Sequence, residues 1–238
     1  MLFRNVSLSK RNSDDAEKPF WISFADLMTA LMVMFLLVMS VALLAVTKTV
    51  SEAEQKKQQR DDEIQQLLAQ VESATRSHGI TVDKTRNVID FGDQANFEFG
   101  KSDINQKKAE KLHEFVPELL KIAQDELGEK WLKRVVVEGY TDKAGTYLYN
   151  LNLSLQRSQR VLCVLLNPSV DIKSSLSTGQ KQQIKQLFLV GGYSSNSSKE
   201  SDDASRRIEF RLEFFGLDEE HRRPDINQAE ADFGRCSI

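Results

Sequence analysis

Residues 20–47 read FWISFADLMTALMVMFLLVMSVALLAVT, an apolar stretch in which Asp26 is the single charged side chain. As an α-helix it is about 42 Å long, enough to cross a hydrocarbon core of roughly 30 Å with tilt. The rest of the chain has the opposite character, with 66 of its 210 residues Asp, Glu, Lys or Arg. No second apolar run approaches the roughly 20 residues a bilayer requires. One membrane span joined to a soluble body follows, and a multi-pass transporter or a globally disordered chain is excluded. A net charge of −3 argues against binding nucleic acid through bulk charge, and two cysteines in 238 residues exclude a disulfide-dense miniprotein.

Pro19 and the pair Phe20-Trp21 mark the start of the span. Proline suits a first helical turn, and an indole settles where its body is dry and its N–H wet. A cleaved leader ending near Ser40-Val41-Ala42 is the weaker reading, because the apolar run continues past that triplet to Val46.

Asp26 lies about 9 Å along the helix from Phe20, where a carboxylate costs roughly 2.5 to 3.5 kcal/mol to insert. Ser23 and Thr29 share its side of the helical wheel, and Met28, Met32 and Met39 occupy the other. Hydrocarbon disfavours the ionised carboxyl, so such a group can alternate between a neutral buried form and a charged form in a polar site. One charge moved through a membrane potential releases roughly 2.3 kcal/mol per 100 mV, comparable to that burial cost. The residue therefore has the chemistry of an ion carrier, although one helix encloses no path; an interfacial aspartate without a role is the alternative.

The run Trp21-Ile22-Ser23-Phe24-Ala25-Asp26-Leu27-Met28-Thr29-Ala30-Leu31-Met32 resembles the signature of MotB-type subunits of bacterial ion-driven stator units. In detail it is most similar to the MotB-like subunits of Zorya anti-phage defence systems. The resemblance implies two copies of the helix inside a pentameric ring of a MotA-like partner, ZorA. Asp26 would bind and release the driving ion, with Ser23 and Thr29 lining its path. It further implies indirect coupling to cytoplasmic nuclease effectors, with no direct nucleic-acid binding.

Lysine and arginine do not decide orientation, since Arg4, Lys10, Arg11 and Lys18 before the span are matched by Lys48, Lys56, Lys57 and Arg60 after it. The resemblance places residues 1–19 in the cytoplasm and the soluble domain in the periplasm, as a single-pass protein of the bacterial inner membrane. Residues 48–79 read as a helical neck in which Ile64, Leu67, Leu68 and Val71 fall at helical spacing. That seam either pairs two copies as a short coiled coil or belongs to a solvated linker.

Residues 80–216 are expected to form an α+β sandwich, with helices packed on one face of a mixed sheet. A strand at Val88–Phe91 precedes an amphipathic helix carrying Leu112, Phe115, Val116, Leu119, Leu120, Ala123 and Leu127, which Pro117 should kink or start late. Strands are expected at Arg134–Glu138 and Phe188–Val190, and helices at Leu151–Leu166 and ending at Gln182–Gln186. In the last strand Ile208, Phe210, Leu212 and Phe214 alternate with Arg207, Glu209, Arg211 and Glu213, a period of two with one dry face. Residues 217–238 are polar and read as a tail.

After the second of these strands come Gly139-Tyr140-Thr141-Asp142, Gly145, and Asn150-Leu151-Asn152-Leu153-Ser154-Leu155-Gln156-Arg157. An acidic loop followed by an arginine suits a zwitterion, carboxylate to ammonium and guanidinium to carboxylate. The spacing resembles OmpA-like peptidoglycan-binding domains. That resemblance implies meso-diaminopimelate of the peptide stem as ligand, Asp142 and Arg157 as principal contacts, and Thr141, Asn150 and Leu153 shaping the pocket. The plainer reading makes Asp142 a turn residue and Arg157 a surface ion pair. Arg206 and Arg207 either join the site or border the sheet.

Ala95–Ser102 is one residue short of a phosphate-binding loop, lacking its first glycine, and His78, His113 and His221 are dispersed. We expect no cofactor, no metal and no enzymatic activity. Cys163 and Cys236 are either bridged or separate thiols. Two functions stand against each other: a wall-anchored stationary subunit of a rotary motor driven by the proton motive force, and a passive tether between inner membrane and peptidoglycan. A flagellar or gliding stator is a variant of the first.

Overall fold

The computed structural model describes residues 14–167 and 175–220, together with Phe233, Gly234 and Cys236. The segment 1–13 and most of the expected tail lie outside the described residues. The chain divides into two units, Met1–Lys56 and Lys57–Ile238.

In the first unit the apolar sequence forms helix α1, which runs Asp14–Arg76 and continues into the second unit. From Trp21 to Val50 its apolar side chains are exposed, and the helix is long and apolar enough to cross a membrane. Its hydroxyls serve its own backbone. Thr29 donates to the Asp26 carbonyl at 2.8 Å, Ser40 to Leu36 at 2.7 Å and Thr47 to Leu43 at 2.6 Å. That habit satisfies polar groups where water is scarce.

The second unit is a five-stranded mixed sheet of β1 (Thr81–Asp83), β2 (Val88–Asp90), β3 (Leu132–Gly139), β4 (Phe188–Gly192) and β5 (Ile208–Phe214), in the order β1-β2-β5-β3-β4. Among the described residues only the β3–β4 pair is parallel. Helices α2 (Gln106–Gln124), α3 (Glu126–Trp131), α4 (Tyr147–Leu166), α5 (Thr178–Leu187) and α6 (Asp202–Ser205) complete it. Asn105 caps α2 by accepting from the Lys108 amide, and α2 continues through Pro117 from Gln106. Ser177 and Gln180 form a capping box on α5.

The core joins Ile89, Val135, Val137, Phe188, Phe210 and Leu212 of the sheet to Leu112, Phe115, Val116 and Leu119 of α2 and Val161 and Leu165 of α4. Phe91, Phe115, Phe188 and Phe210 meet edge to face within it. The other sheet face is a ladder of charge. Glu138 and Glu209 lie directly opposite one another on β3 and β5, both fully buried. Two facing carboxylates repel, so each is held by cations. Arg211 grips Glu138 with two bonds of 2.6 and 3.0 Å, while Arg207 and Arg86 reach Glu209 at 2.7 and 3.3 Å.

Several expectations change here. The seam Ile64, Leu67, Leu68 and Val71 is neither a coiled-coil stripe nor solvated, being buried in the core of the second unit. Arg60 donates to the Phe215 carbonyl at 2.9 Å, and the Trp131 indole N–H donates to Glu63 at 2.5 Å. The compact unit therefore begins at Lys57 and not at residue 80. The structure adds the three-residue strand β1 and helix α3 to the expected elements, and α4 starts at Tyr147 and not Leu151, with Thr146 as its extended N-cap.

Candidate functional site

In the first unit Ser23, Asp26 and Thr29 are exposed. The Thr29 hydroxyl already donates to Asp26's own carbonyl, so toward any further partner it can act only as an acceptor. A carboxylate one helical turn from a hydroxyl oxygen provides oxygen ligands alone, the donor chemistry suited to a proton or a hard cation.

In the second unit β3 delivers the loop and α4 delivers the helix face. Gly139 ends β3 where a Cβ would stand 1.9 Å from the Ser154 carbonyl oxygen, so only glycine lets α4 close on the strand. Asn150, Leu153 and Arg157 then fall at i, i+3 and i+7 on one side of α4 and are buried.

Asn150 pins the loop by donating from Nδ2 to the Ala144 carbonyl at 2.9 Å and to the Asp142 carbonyl at 3.4 Å. Asp142 accepts from the Ala144 amide at 3.1 Å. Gly145 turns the chain with φ +97°, a conformation that strains other residues. Thr141 is buried, its amide donating to the Ser194 carbonyl at 3.0 Å, while its Oγ1 lacks a hydrogen-bond partner among the described residues. A buried, unpaired hydroxyl beside a buried carboxylate is what a polar ligand would satisfy.

Arg157 is fully buried, and its donors go to backbone carbonyls: Nε to Lys101 at 2.9 Å, Nη1 to Tyr140 at 2.7 Å and Nη2 to Glu98 at 3.2 Å. Its guanidinium stacks over the Phe97 ring at 4.9 Å. Burial pushes the Arg157 pKa down to about 10, the Asp142 charge opposing that shift, so the group stays protonated at neutral pH. It therefore ties three chain segments together and is not the surface ion pair that the plainer reading allowed.

The cation on Asp142 is Arg206. Its Nη1 donates to Asp142 Oδ2 at 2.8 Å, its Nε to the Phe97 carbonyl at 3.1 Å, and it also pairs with Asp203. Arg206 thus joins the site, whereas Arg207 stacks on the Tyr140 ring at 4.2 Å and belongs to the charged sheet face. Tyr140 points the same way, donating to Glu138 at 2.7 Å; burial first, and then Glu138, push its phenol pKa up. The site is therefore one carboxylate, one mostly buried and one fully buried guanidinium, and a hydroxyl without a partner among the described residues.

Cys163 on α4 and Cys236 are joined by a disulfide with a Cα–Cα distance of 5.8 Å. Among the described residues no group of His, Cys, Asp and Glu could hold a metal.

The model of the OmpA family matches residues 96–187, and that described as membrane MotB of the proton-channel complex MotA/MotB matches residues 7–59. A solved periplasmic domain of MotB aligns with 17% identity and a TM-score of 0.37, over 55% of this chain and 65% of that chain. The cell wall anchor of the T6SS from Pseudomonas aeruginosa aligns with 19% identity and a TM-score of 0.39, over 62% of this chain and 97% of that chain. A MotB-like membrane helix followed by an OmpA-like domain is the class to which these features assign the molecule. Zorya protein ZorB of Escherichia coli O139:H28 is 45% identical over 235 residues, 98% of this chain and 94% of that protein. The chain belongs to the ZorB family.

Proposed function

We propose that this chain is the stationary, wall-anchored subunit of an ion-driven rotary membrane motor serving anti-phage defence. Two copies of α1 stand inside a ring of a MotA-like partner, ZorA. Asp26 loads an ion from the periplasmic side and releases it toward the cytoplasm, and its change of charge alters its contacts with the ring. The second unit lies in the periplasm, where Asp142 takes the ammonium of a diaminopimelate stem and Arg206 its carboxylate. Arg157 holds the pocket loops, and Thr141 supplies the hydroxyl. The subunit stays fixed while the ring turns, and rotation is relayed to cytoplasmic effectors.

The observation that carries this reading is the lone carboxylate of residues 20–47 in a chain 45% identical to ZorB. A passive tether has no use for an ionisable group whose insertion costs about 2.5 to 3.5 kcal/mol. Replacing Asp26 with Asn tests it. The motor reading expects loss of phage protection and of ring rotation while membrane insertion and wall binding persist. Undiminished protection in Asp26→Asn would leave only the tether.

A further inference from the structure

The chain leaves β4 through a strained turn. The Tyr193 amide donates to the Gly139 carbonyl at 3.0 Å, and the Asn196 amide returns to the Tyr193 carbonyl at 3.2 Å, so Ser194 stands at the second position of a tight turn. Its φ is +54°, in the left-handed region where a Cβ crowds the following carbonyl and glycine is the ordinary occupant. Asn87 is the other non-glycine residue with positive φ among the described residues, and asparagine tolerates that conformation. Serine tolerates it less, so the fold alone would favour glycine at 194.

Ser194 is also fully buried, and each of its polar groups engages a segment that builds the Asp142 pocket. Its amide donates to Ser154 Oγ on α4 at 3.0 Å. Its hydroxyl donates to the Tyr147 carbonyl, in the first turn of α4, at 3.2 Å. Its carbonyl accepts from the Thr141 amide at 3.0 Å. Thr141 is the residue whose buried Oγ1 lacks a partner among the described residues, and Asp142 follows it in the chain. One residue thus holds the loop after β3 against the entrance of α4, and those two segments carry the pocket. Backbone strain persists only where surrounding contacts over-determine it, and it gathers at functional positions.

We propose that Ser194 is a positioning residue for stem binding, its hydroxyl and carbonyl locking the first turn of α4 and Thr141 in the arrangement the ligand requires. This rests on the reading of the Asp142 pocket as the stem-binding site. Glycine at 194 would relax the backbone, and that relief offsets the greater freedom glycine has in the unfolded chain. Losing the hydroxyl leaves no orphan, because the Tyr147 carbonyl also faces the hydrogen-bond ladder of α4. The fold is therefore no weaker without this side chain. What the side chain supplies is order in the free protein: a loop fixed before the ligand arrives does not have to be ordered by it.

The test uses the full-length protein in detergent and a free tripeptide containing diaminopimelate. Ser194→Gly is expected to show a urea midpoint at or above that of wild type, an affinity for the tripeptide about tenfold lower, and hydrogen exchange at the Thr141 amide about tenfold faster. Stability and affinity moving apart is a signature that a merely structural serine does not produce. Ser194→Ala, which keeps the strained backbone and loses the hydroxyl, should also weaken binding, by about threefold or more. Binding within about twofold of wild type by either variant, or a lowered urea midpoint accompanying the affinity loss in Ser194→Gly, overturns the positioning role while the pocket stands. Failure of wild type to bind the tripeptide overturns the pocket reading and this role with it.

Discussion

Arg206 sits on Asp142, Nη1 to Oδ2 at 2.8 Å, so the carboxylate that a ligand ammonium would seek already has a cation. On the proposed reading binding is an exchange, in which the ammonium would share Asp142 and Arg206 would turn a donor toward the ligand carboxylate. Arg157 has no such freedom. Arg206→Lys keeps a cation near Asp142 but loses the planar fork, and is expected to lower stem-peptide affinity about tenfold with stability changed by less than about 1 kcal/mol. Arg157→Lys leaves three backbone carbonyls without directed donors and should cost roughly 3 to 5 kcal/mol of stability. Calorimetric titration and urea unfolding on both variants separate the two roles.

Leu68 is fully buried although it lies in a segment whose composition suggests a connecting neck. Leu68→Ala should destabilise the second unit by about 2 to 5 kcal/mol. A coiled-coil seam would show a loss that depends on protein concentration; burial within one chain makes the loss independent of it. Urea midpoints measured across a hundredfold range of concentration decide between them.

Glu63 links α1 to α3, and the hydrogen bond from Lys130, followed by that from Trp131, holds its carboxyl at about 2, well below the ordinary 4.5. The folded state therefore binds this proton less readily than the unfolded chain. The stabilisation is fully present above about pH 4.5 and is lost as pH falls toward 2. Glu63→Gln should flatten the dependence of the unfolding midpoint between those values, with little further change on going from pH 6 to 8.

Where chain neighbours decide a structure, the sequence was readable. The alternation from Arg207 to Phe214 predicts β5, and the apolar run around Asp26 predicts the helix. Partners distant in sequence were not readable. Ile64, Leu67, Leu68 and Val71 present the same stripe to a second copy or to their own domain, and only the packing of α2 and α3 chooses. Arg206 reaches Asp142 across 64 residues, and no local pattern distinguishes it from Arg207, whose side chain leaves on the other sheet face.

The disulfide between Cys163 and Cys236 closes a loop with a sequence separation of 73, and the Asn167 side chain donates to the Gly234 carbonyl at 3.1 Å beside it. Cross-linking a loop of that size removes unfolded-state entropy worth roughly 4 kcal/mol in the chain-entropy model. Cys236→Ser, or reduction of the wild type, should therefore lower the urea midpoint by up to that amount, and the two treatments together should do no more than either alone. Because such bonds persist in oxidising compartments, protein recovered from the periplasmic face should yield the bridged peptide by mass spectrometry, whereas domain retained in the cytosol should carry two free thiols. Free thiols in protein isolated from its native membrane, with alkylation before lysis, would contradict both the clamp and the proposed orientation.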